Sequence, residues 1–311
     1  MDIAYSGPRR GRAARLLAAG DLGIAGAAFR AAALLVFAAY FALPMLWLLV
    51  APSKDPTQLY QLHPLAFGTW ERYAKAWHNI TTYQDGAIWV WLRNSILYVG
   101  ASLAAGLGIS LPAGYALAVA RFPGRTLLLW STLIGMLLPA SALVLPLFLE
   151  LNLFGLINTS WSVILPACFF PFGVYLAYVY YGSSLPRDLL DAARMDGCSD
   201  AGIFWHVGVP LAKPLVGLLA FISFTVNWNN FFLPYVMLND DALFNLPVGV
   251  QTVISSTAAI KPGFNPTPGA VSFQQADAAL AGLIMIVPVV IVFLVSQRFV
   301  TRGAFAGAVK G

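Results

Sequence analysis

The stretch that decides how the chain is organised is LPRDLLDAARMDGCSDAGIFWHVGVP, residues 185–210, a polar insertion between two long apolar runs. Pro186 can start a short helix, and Asp188 suits the first turn of that helix. Gly197 can end the helix, and Ser199 can cap a second one. The stretch therefore predicts a compact helix-turn-helix that is fixed at both ends by its flanking apolar segments.

The flanking runs belong to a set of six segments with few or no charges. Each is close to the roughly 20 residues that a helix needs to cross a hydrocarbon layer of ~30 Å. Internal glycines and prolines are tolerated in membrane helices, so we expect some of them to be kinked. We predict an all-α membrane protein with six transmembrane helices and with the helix-turn-helix between spans four and five. The predicted spans are Ala31–Ala51, Ile96–Ala120, Thr126–Leu149, Trp161–Tyr181, Leu215–Leu238 and Ala278–Ser296.

The composition also requires a lipid environment. The 311 residues are 59% hydrophobic and 10% charged, with a mean hydropathy of +0.75. The core of a soluble protein cannot bury this much apolar surface. The formal charge is +5, but the basic residues lie beside the apolar runs and do not cluster with aromatic residues. We therefore expect membrane lipid as a partner and no nucleic acid.

The basic residues predict the orientation of the spans. With both termini in the cytoplasm, 13 of the 18 lysines and arginines lie inside and five lie outside, as the positive-inside rule favours. Residues 1–30 are interpreted as a basic, flexible cytoplasmic extension, and residues 31–311 as one transmembrane domain. No small-residue cleavage site follows the first apolar run, so a retained span is favoured over a signal peptide.

Two long segments are expected outside, roughly Pro52–Asn94 and Asn239–Asp277. The first contains several tryptophans, and the second is rich in proline, serine and asparagine. They are interpreted either as a docking surface for an extracytoplasmic partner or, for the tryptophans near the span, as part of an interfacial aromatic belt.

The 185–210 stretch resembles the EAA-x3-G-x9-I-x-L-P signature of binding-protein-dependent ABC importer permeases. Three positions depart from the signature: Asp191 replaces Glu, Val207 replaces Ile and Val209 replaces Leu. All three replacements are chemically similar. The matching positions, which the resemblance assigns to coupling with an ATPase, are Asp191, Ala192, Ala193, Gly197 and Pro210.

Other stretches are similar to the maltose and sugar-type branch of these permeases, in its smaller six-span form. They are Asn94-Ser95, NWNNFF at residues 227–232, LPVG at 246–249 and GAVKG at 307–311. The resemblance implies a bacterial inner-membrane importer of a carbohydrate, with a homologous second permease, an ATPase dimer and an extracytoplasmic solute-binding protein. A polyol, a glycerol phosphate or an amino sugar remains an alternative cargo.

The chain is not expected to be an enzyme. No lysine follows a glycine, so the G-x-x-x-x-G-K-[ST] phosphate loop is absent, and ATP and Mg²⁺ would be bound by the partner ATPase. We predict no catalytic residue, no metal site and no cofactor in this chain, because the histidines are scattered and only two cysteines occur. An ion-driven secondary transporter is disfavoured, because the spans contain almost no acids or bases.

Polar residues in the fifth span are candidates for the substrate path. Asn227 is expected about 12 residues into the span, with Asn230 on the same helical face and Trp228 beside them. Their amides and ring suit sugar hydroxyls and sugar faces, but interhelical hydrogen bonding is the commoner use of such asparagines. The weaker candidates, expected nearer the outer side, are Glu150, Asn152 and Gln251.

Overall fold

The computed structural model describes residues 24–255 and 274–308. Within these ranges the chain is almost entirely helical and contains no β-strand, which confirms the predicted all-α class. Residues 1–23, which hold most of the predicted N-terminal extension, lie outside the described residues. The same is true of residues 256–273 in the second predicted outer segment.

The first part of the chain contains one long helix on each side of a short-helix segment. Thr69 caps the third helix by accepting a hydrogen bond from the Arg72 amide at 3.2 Å. The fourth helix starts after Gly86, whose φ of +89° lies in the left-handed region. These helices are α1 (Ile24–Val50), α2 (Pro56–Gln61), α3 (Trp70–Thr82) and α4 (Ala87–Val119).

The prediction of a single helix for span three was wrong. This segment forms α5 (Arg125–Leu137) and α6 (Ala140–Leu153), which are bent by 107°. Leu138 is extended because the ring of Pro139 disfavours helical backbone in the preceding residue. Span four is interrupted in the same way before Pro171, and consists of α7 (Trp161–Cys168) and α8 (Pro171–Ser184).

Span five also differs from the single helix expected for it. α11 ends at Trp228, and a short α12 follows after a break. Pro234 has no amide hydrogen to donate to Asn230, four residues earlier, and the Asn230 carbonyl instead accepts the Asn245 side-chain amide at 2.9 Å. The remaining helices are α9 (Arg187–Met195), α10 (Asp200–Leu211), α11 (Lys213–Trp228), α12 (Phe232–Met237), α13 (Leu246–Ser255) and α14 (Gln275–Ala308).

The described helices give four to six candidate membrane spans. Four are long and apolar enough by themselves, at 28–53, 87–119, 161–184 and 275–297. Two bent pairs, α5 with α6 and α10 with α11, bring the number to six if each pair is one span. The chain is therefore a multi-pass membrane protein.

Three apolar clusters hold these helices together. One packs Trp91 of α4 and Trp228 of α11 against α13 and α14. The second joins α4 and α8 to α9 and α10, and the third joins α4 and α6 to α7 and α12. Because α4 contributes to all three clusters, it is the central helix of the fold.

Candidate functional site

The hairpin, defined as α9, α10 and the turn between them, follows the local rules that the sequence suggested. α9 begins directly after Pro186, whose φ of −64° suits entry into a helix. Asp188 lies in the first turn and Arg194 in the last, so both charges interact favourably with the helix dipole. The predicted first helix is therefore confirmed.

The turn of the hairpin depends on one glycine. Gly197 has a φ of +82°, its amide donates to the Arg194 carbonyl, and the Cys198 amide donates to the Ala193 carbonyl, each at 3.0 Å. This pair of bonds is the Schellman arrangement that ends many helices. No atom lies within 4 Å of the position that a Cβ of Gly197 would occupy, so the backbone conformation alone favours glycine here.

The second helix is capped as expected. The Ser199 hydroxyl accepts a hydrogen bond from the Gly202 amide at 3.2 Å. Arg194 also donates to Asp191 at 3.1 Å and to Asp200 at 3.4 Å, so its side chain connects the two helices of the hairpin. These ion pairs are largely exposed and add little stability individually.

The inner side of the hairpin is apolar and packs on the membrane helices. Leu190, Ile203 and Phe204 are all buried. The ring of Phe204 lies 5.2 Å from the ring of Tyr115 in α4, and Tyr115 lies 5.3 Å from Tyr181 in α8. The hairpin and the two spans therefore share one core.

The outer side of the hairpin carries most of the predicted coupling residues. Four of them are exposed: Asp191, Ala192, Gly197 and Pro210. Ala193 is partly buried against the second apolar cluster, which joins the hairpin to α4 and α8. Asp191 and Ala192 thus lie on the exposed side of α9, Gly197 lies in the turn, and Pro210 lies at the far end of α10.

Two large apolar side chains on the hairpin were not singled out from the sequence. Met195 is 88% exposed and Trp205 is 65% exposed. The sequence contains a signal for their exposure, because neither residue belongs to the apolar stripe of the hairpin that includes Leu190 and Ile203. Large exposed apolar side chains beside small residues are typical of a surface that another protein covers.

A cavity of about 870 Å³ lies where three membrane segments are bent or interrupted. We call it the large cavity. Its walls are the bend between α5 and α6, the interruption between α7 and α8, and the break between α11 and α12. The prolines that interrupt these helices thus create the space.

The large cavity has an apolar lining with a few polar groups. Asn227 and Asn230 both contact it, as do Ser223 and Glu150. Asn227 donates to the Ser223 hydroxyl at 3.3 Å, while Glu150 is exposed. Asn230 does not share a regular helical face with Asn227, since α11 has already ended; the break brings both amides to the same wall.

Trp228 is not part of the wall of the large cavity. It is 1% exposed, its ring stacks on Phe224 at 5.3 Å, and its indole N–H donates to the Met285 carbonyl of α14 at 3.0 Å. Its contacts hold α11 against α14. Asn227 and Asn230 thus line the cavity, whereas Trp228 packs away from it.

A second polar layer lies behind the two asparagines. A small void there is lined by Ser95, Tyr98, Ser102 and Asn245 together with Asn227 and Asn230. Ser95 accepts the Leu246 amide at 2.7 Å, and Tyr98 donates to the Leu243 carbonyl at 2.8 Å. This layer fixes the loop before α13 against α4 and supports the cavity wall.

Comparison with known proteins decides the family. The model of the family described as binding-protein-dependent transport system inner membrane component matches residues 110–305, more than half of the chain. The chain belongs to this family. It is thus a permease subunit of an ABC importer, as its sequence predicted, and such subunits are not enzymes.

Relatives of this permease include transporters for several solutes. The arabinooligosaccharides transport system permease protein AraQ of Halalkalibacterium halodurans is 37% identical over 73% of this permease and 76% of its own length. The diacetylchitobiose uptake system permease protein NgcG of Streptomyces coelicolor is 30% identical over 91% and 89%. The sn-glycerol-3-phosphate transport system permease protein UgpE of Yersinia enterocolitica is 26% identical over 84% and 89%.

A solved structure shares the fold of the permease. It is a crystal structure of a bacterial ABC transporter involved in the import of the acidic polysaccharide alginate. The matched chain superimposes with a TM-score of 0.75 over 96% of the permease and 99% of its own length, at 22% identity. The two chains therefore share a fold over nearly their whole lengths.

The described part of the permease offers no metal centre. Nowhere in it do three or more His, Cys, Asp or Glu side chains come together. His206 instead contacts the Gly202 carbonyl through Nδ1 at 2.9 Å, within α10.

Proposed function

We propose that this permease and a second, homologous permease form the membrane pathway for a carbohydrate that an extracytoplasmic binding protein delivers. The observation that carries the proposal is the 37% identity to the arabinooligosaccharide permease over three quarters of that protein. The large cavity supports it, because asparagine amides in an otherwise apolar wall can hydrogen-bond sugar hydroxyls.

The hairpin is proposed as the contact with a separate ATPase dimer, which would bind ATP and Mg²⁺. Asp191, Ala192, Ala193, Gly197 and Pro210 would form this contact, and exposed Met195 and Trp205 would add apolar area to it. The support is geometric: small and acidic residues face outward, while the inner side is packed on α4 and α8. Closure of the ATPase could then move the spans and alternate access to the cavity.

The proposed setting is the bacterial inner membrane, with both termini and the hairpin in the cytoplasm. The distribution of basic residues supports this orientation. Residues 1–30 would be a basic extension and residues 31–311 the transmembrane domain, although α1 begins already at Ile24. In the substrate path, Asn227 and Asn230 would contact solute, and Trp228 would hold α11 in place.

A second candidate cargo is glycerol phosphate, because one relative carries that solute in its name.

Co-purification tests the assembly, whichever cargo is carried. The permease is tagged at its N-terminus, extracted from its native membrane, and the attached proteins are identified by mass spectrometry. We expect a second permease and a P-loop ATPase. Recovery of the permease alone, with solute uptake driven by an ion gradient and independent of ATP, would contradict the proposal.

A further inference from the structure

The charge of the large cavity distinguishes between the two kinds of cargo found among the relatives. Arabinooligosaccharides and diacetylchitobiose are uncharged solutes, whereas glycerol phosphate and alginate are anionic. Among the described residues that line the cavity, Glu150 is the one charged side chain, and no lysine or arginine lies in the wall.

Glu150 has nothing to neutralise it in the described part of the chain. The side chain is exposed to the cavity and has no ion pair or hydrogen bond there. It lies in the last turn of α6, where the negative end of the helix dipole adds to its charge. The carboxylate of Glu150 is therefore the source of a negative potential at this wall.

The other polar groups in the wall are uncharged. Asn227, Asn230 and Ser223 can donate and accept hydrogen bonds, which is what hydroxyl groups require. They cannot replace the hydration of a phosphate or carboxylate, which proteins bind with arginine, lysine or clustered backbone amides. An anion in the cavity would lose water and also be repelled by Glu150.

We propose that Glu150 makes this cavity wall selective against anions, so that the cargo is an uncharged, hydroxyl-rich saccharide. This inference rests on the proposed function, in that the large cavity is taken as part of the solute pathway. Glu150 acts as a specificity-determining residue through its charge, while Asn227 and Asn230 supply hydrogen bonds to the cargo.

The test measures the potential in the cavity with charged thiol reagents on the complete importer. Cys168 and Cys198 are replaced by serine, and Val226→Cys introduces a reporter thiol, because Val226 lines the cavity and is 60% exposed. The probes are the trimethylammonium-ethyl and sulfonato-ethyl methanethiosulfonates. With either probe, the reporter thiolate forms a mixed disulfide and methanesulfinate leaves.

The measured quantity is the rate at which the cationic reagent modifies the reporter, divided by the rate for the anionic reagent. We expect Glu150→Gln to lower this ratio by about threefold or more, and Glu150→Lys to lower it further. The control is Asp85→Asn, which removes an exposed carboxylate away from the cavity and should leave the ratio unchanged.

A ratio that does not respond to Glu150→Gln would overturn the inference, and so would a reporter that neither reagent reaches. Either result would leave the importer assignment intact if the ATPase still co-purifies with the same variant. Uptake of sn-glycerol 3-phosphate by the complete importer as fast as uptake of an arabinooligosaccharide would also overturn it.

Discussion

The hairpin and the contact between α3 and α14 are stabilised in different ways. In the hairpin, the bonds that set the shape join residues three to six positions apart, such as Gly197 to Arg194 and Arg194 to Asp200. At the other contact, Arg72 of α3 binds Asp277 of α14, which is 205 positions away. Local rules therefore determine the hairpin, whereas the α3–α14 contact forms only in the complete fold.

The largest expected effect comes from breaking a distant contact. Asp277 is fully buried and accepts from Arg72 at 2.9 Å and from the Gln274 amide at 2.9 Å. We expect Asp277→Asn to cost about 3–5 kcal/mol, because it leaves the buried guanidinium with only the exposed carboxylate of Asp55, 3.6 Å away, as a counter-ion. The unfolding midpoint of the detergent-solubilised protein measures this effect.

The matched control is Asp85→Asn, which removes an exposed carboxylate three residues after α3. It should leave the midpoint within experimental error. Equal midpoints for the two variants would show that the buried pair does not stabilise the α3–α14 contact.

The next effect concerns the break in span five. Asn245 is 4% exposed, donates to the Asn230 carbonyl at 2.9 Å, and accepts from the Val248 amide at 3.3 Å. Asn245→Ala would leave these backbone groups unpaired, at a cost of about 1–3 kcal/mol. The control is Asn229→Ala, which removes an exposed side-chain amide one residue before Asn230. It should lower the unfolding midpoint less than Asn245→Ala does.

A local substitution should affect coupling more than global stability. Valine is strained at the positive φ of Gly197, by about 1–2 kcal/mol. We expect Gly197→Val to leave the protein inserted but to reduce solute-stimulated ATP hydrolysis by the complete importer. Gly197→Asn should retain more activity, because asparagine tolerates this conformation. Full coupling in the valine variant would refute the assignment of the turn.

The smallest effect is expected at the exposed ion pairs. Arg194→Ala removes the bonds to Asp191 and Asp200 and should cost less than about 1 kcal/mol. This loss should shrink at high salt, because exposed pairs are screened. A cost as large as that of Asp277→Asn would remove the distinction between the two regions.

The same distinction explains how much could be predicted from the sequence. The proline before α9, the glycine after it and the serine cap of α10 were read correctly, because each acts within one helical turn. The all-helical class and the apolar spans followed from hydropathy alone. The family was identified from the spacing of Asp191, Gly197 and Pro210 in the hairpin.

The cavity could not be predicted in the same way. Hydropathy detects an apolar run but not a 107° bend inside it, so the sequence predicts one span over residues 126–149 where the structure has two helices. Asn227 and Asn230 were correctly grouped, but for the wrong geometric reason. The burial of Trp228 depends on its bond to Met285, 57 positions away, for which a single sequence carries no signal.

The most direct test of the central claim is cross-linking from the hairpin to an ATPase. Met195→Cys, in a background with Cys168 and Cys198 replaced by serine, places a thiol on the most exposed part of α9. Leu153→Cys, at the end of α6 and 86% exposed, is the control. With a short bifunctional thiol reagent in native membranes, we predict a product containing a P-loop ATPase from the Met195→Cys variant alone. An ATPase product from the Leu153→Cys variant, or none from the hairpin, would contradict the account.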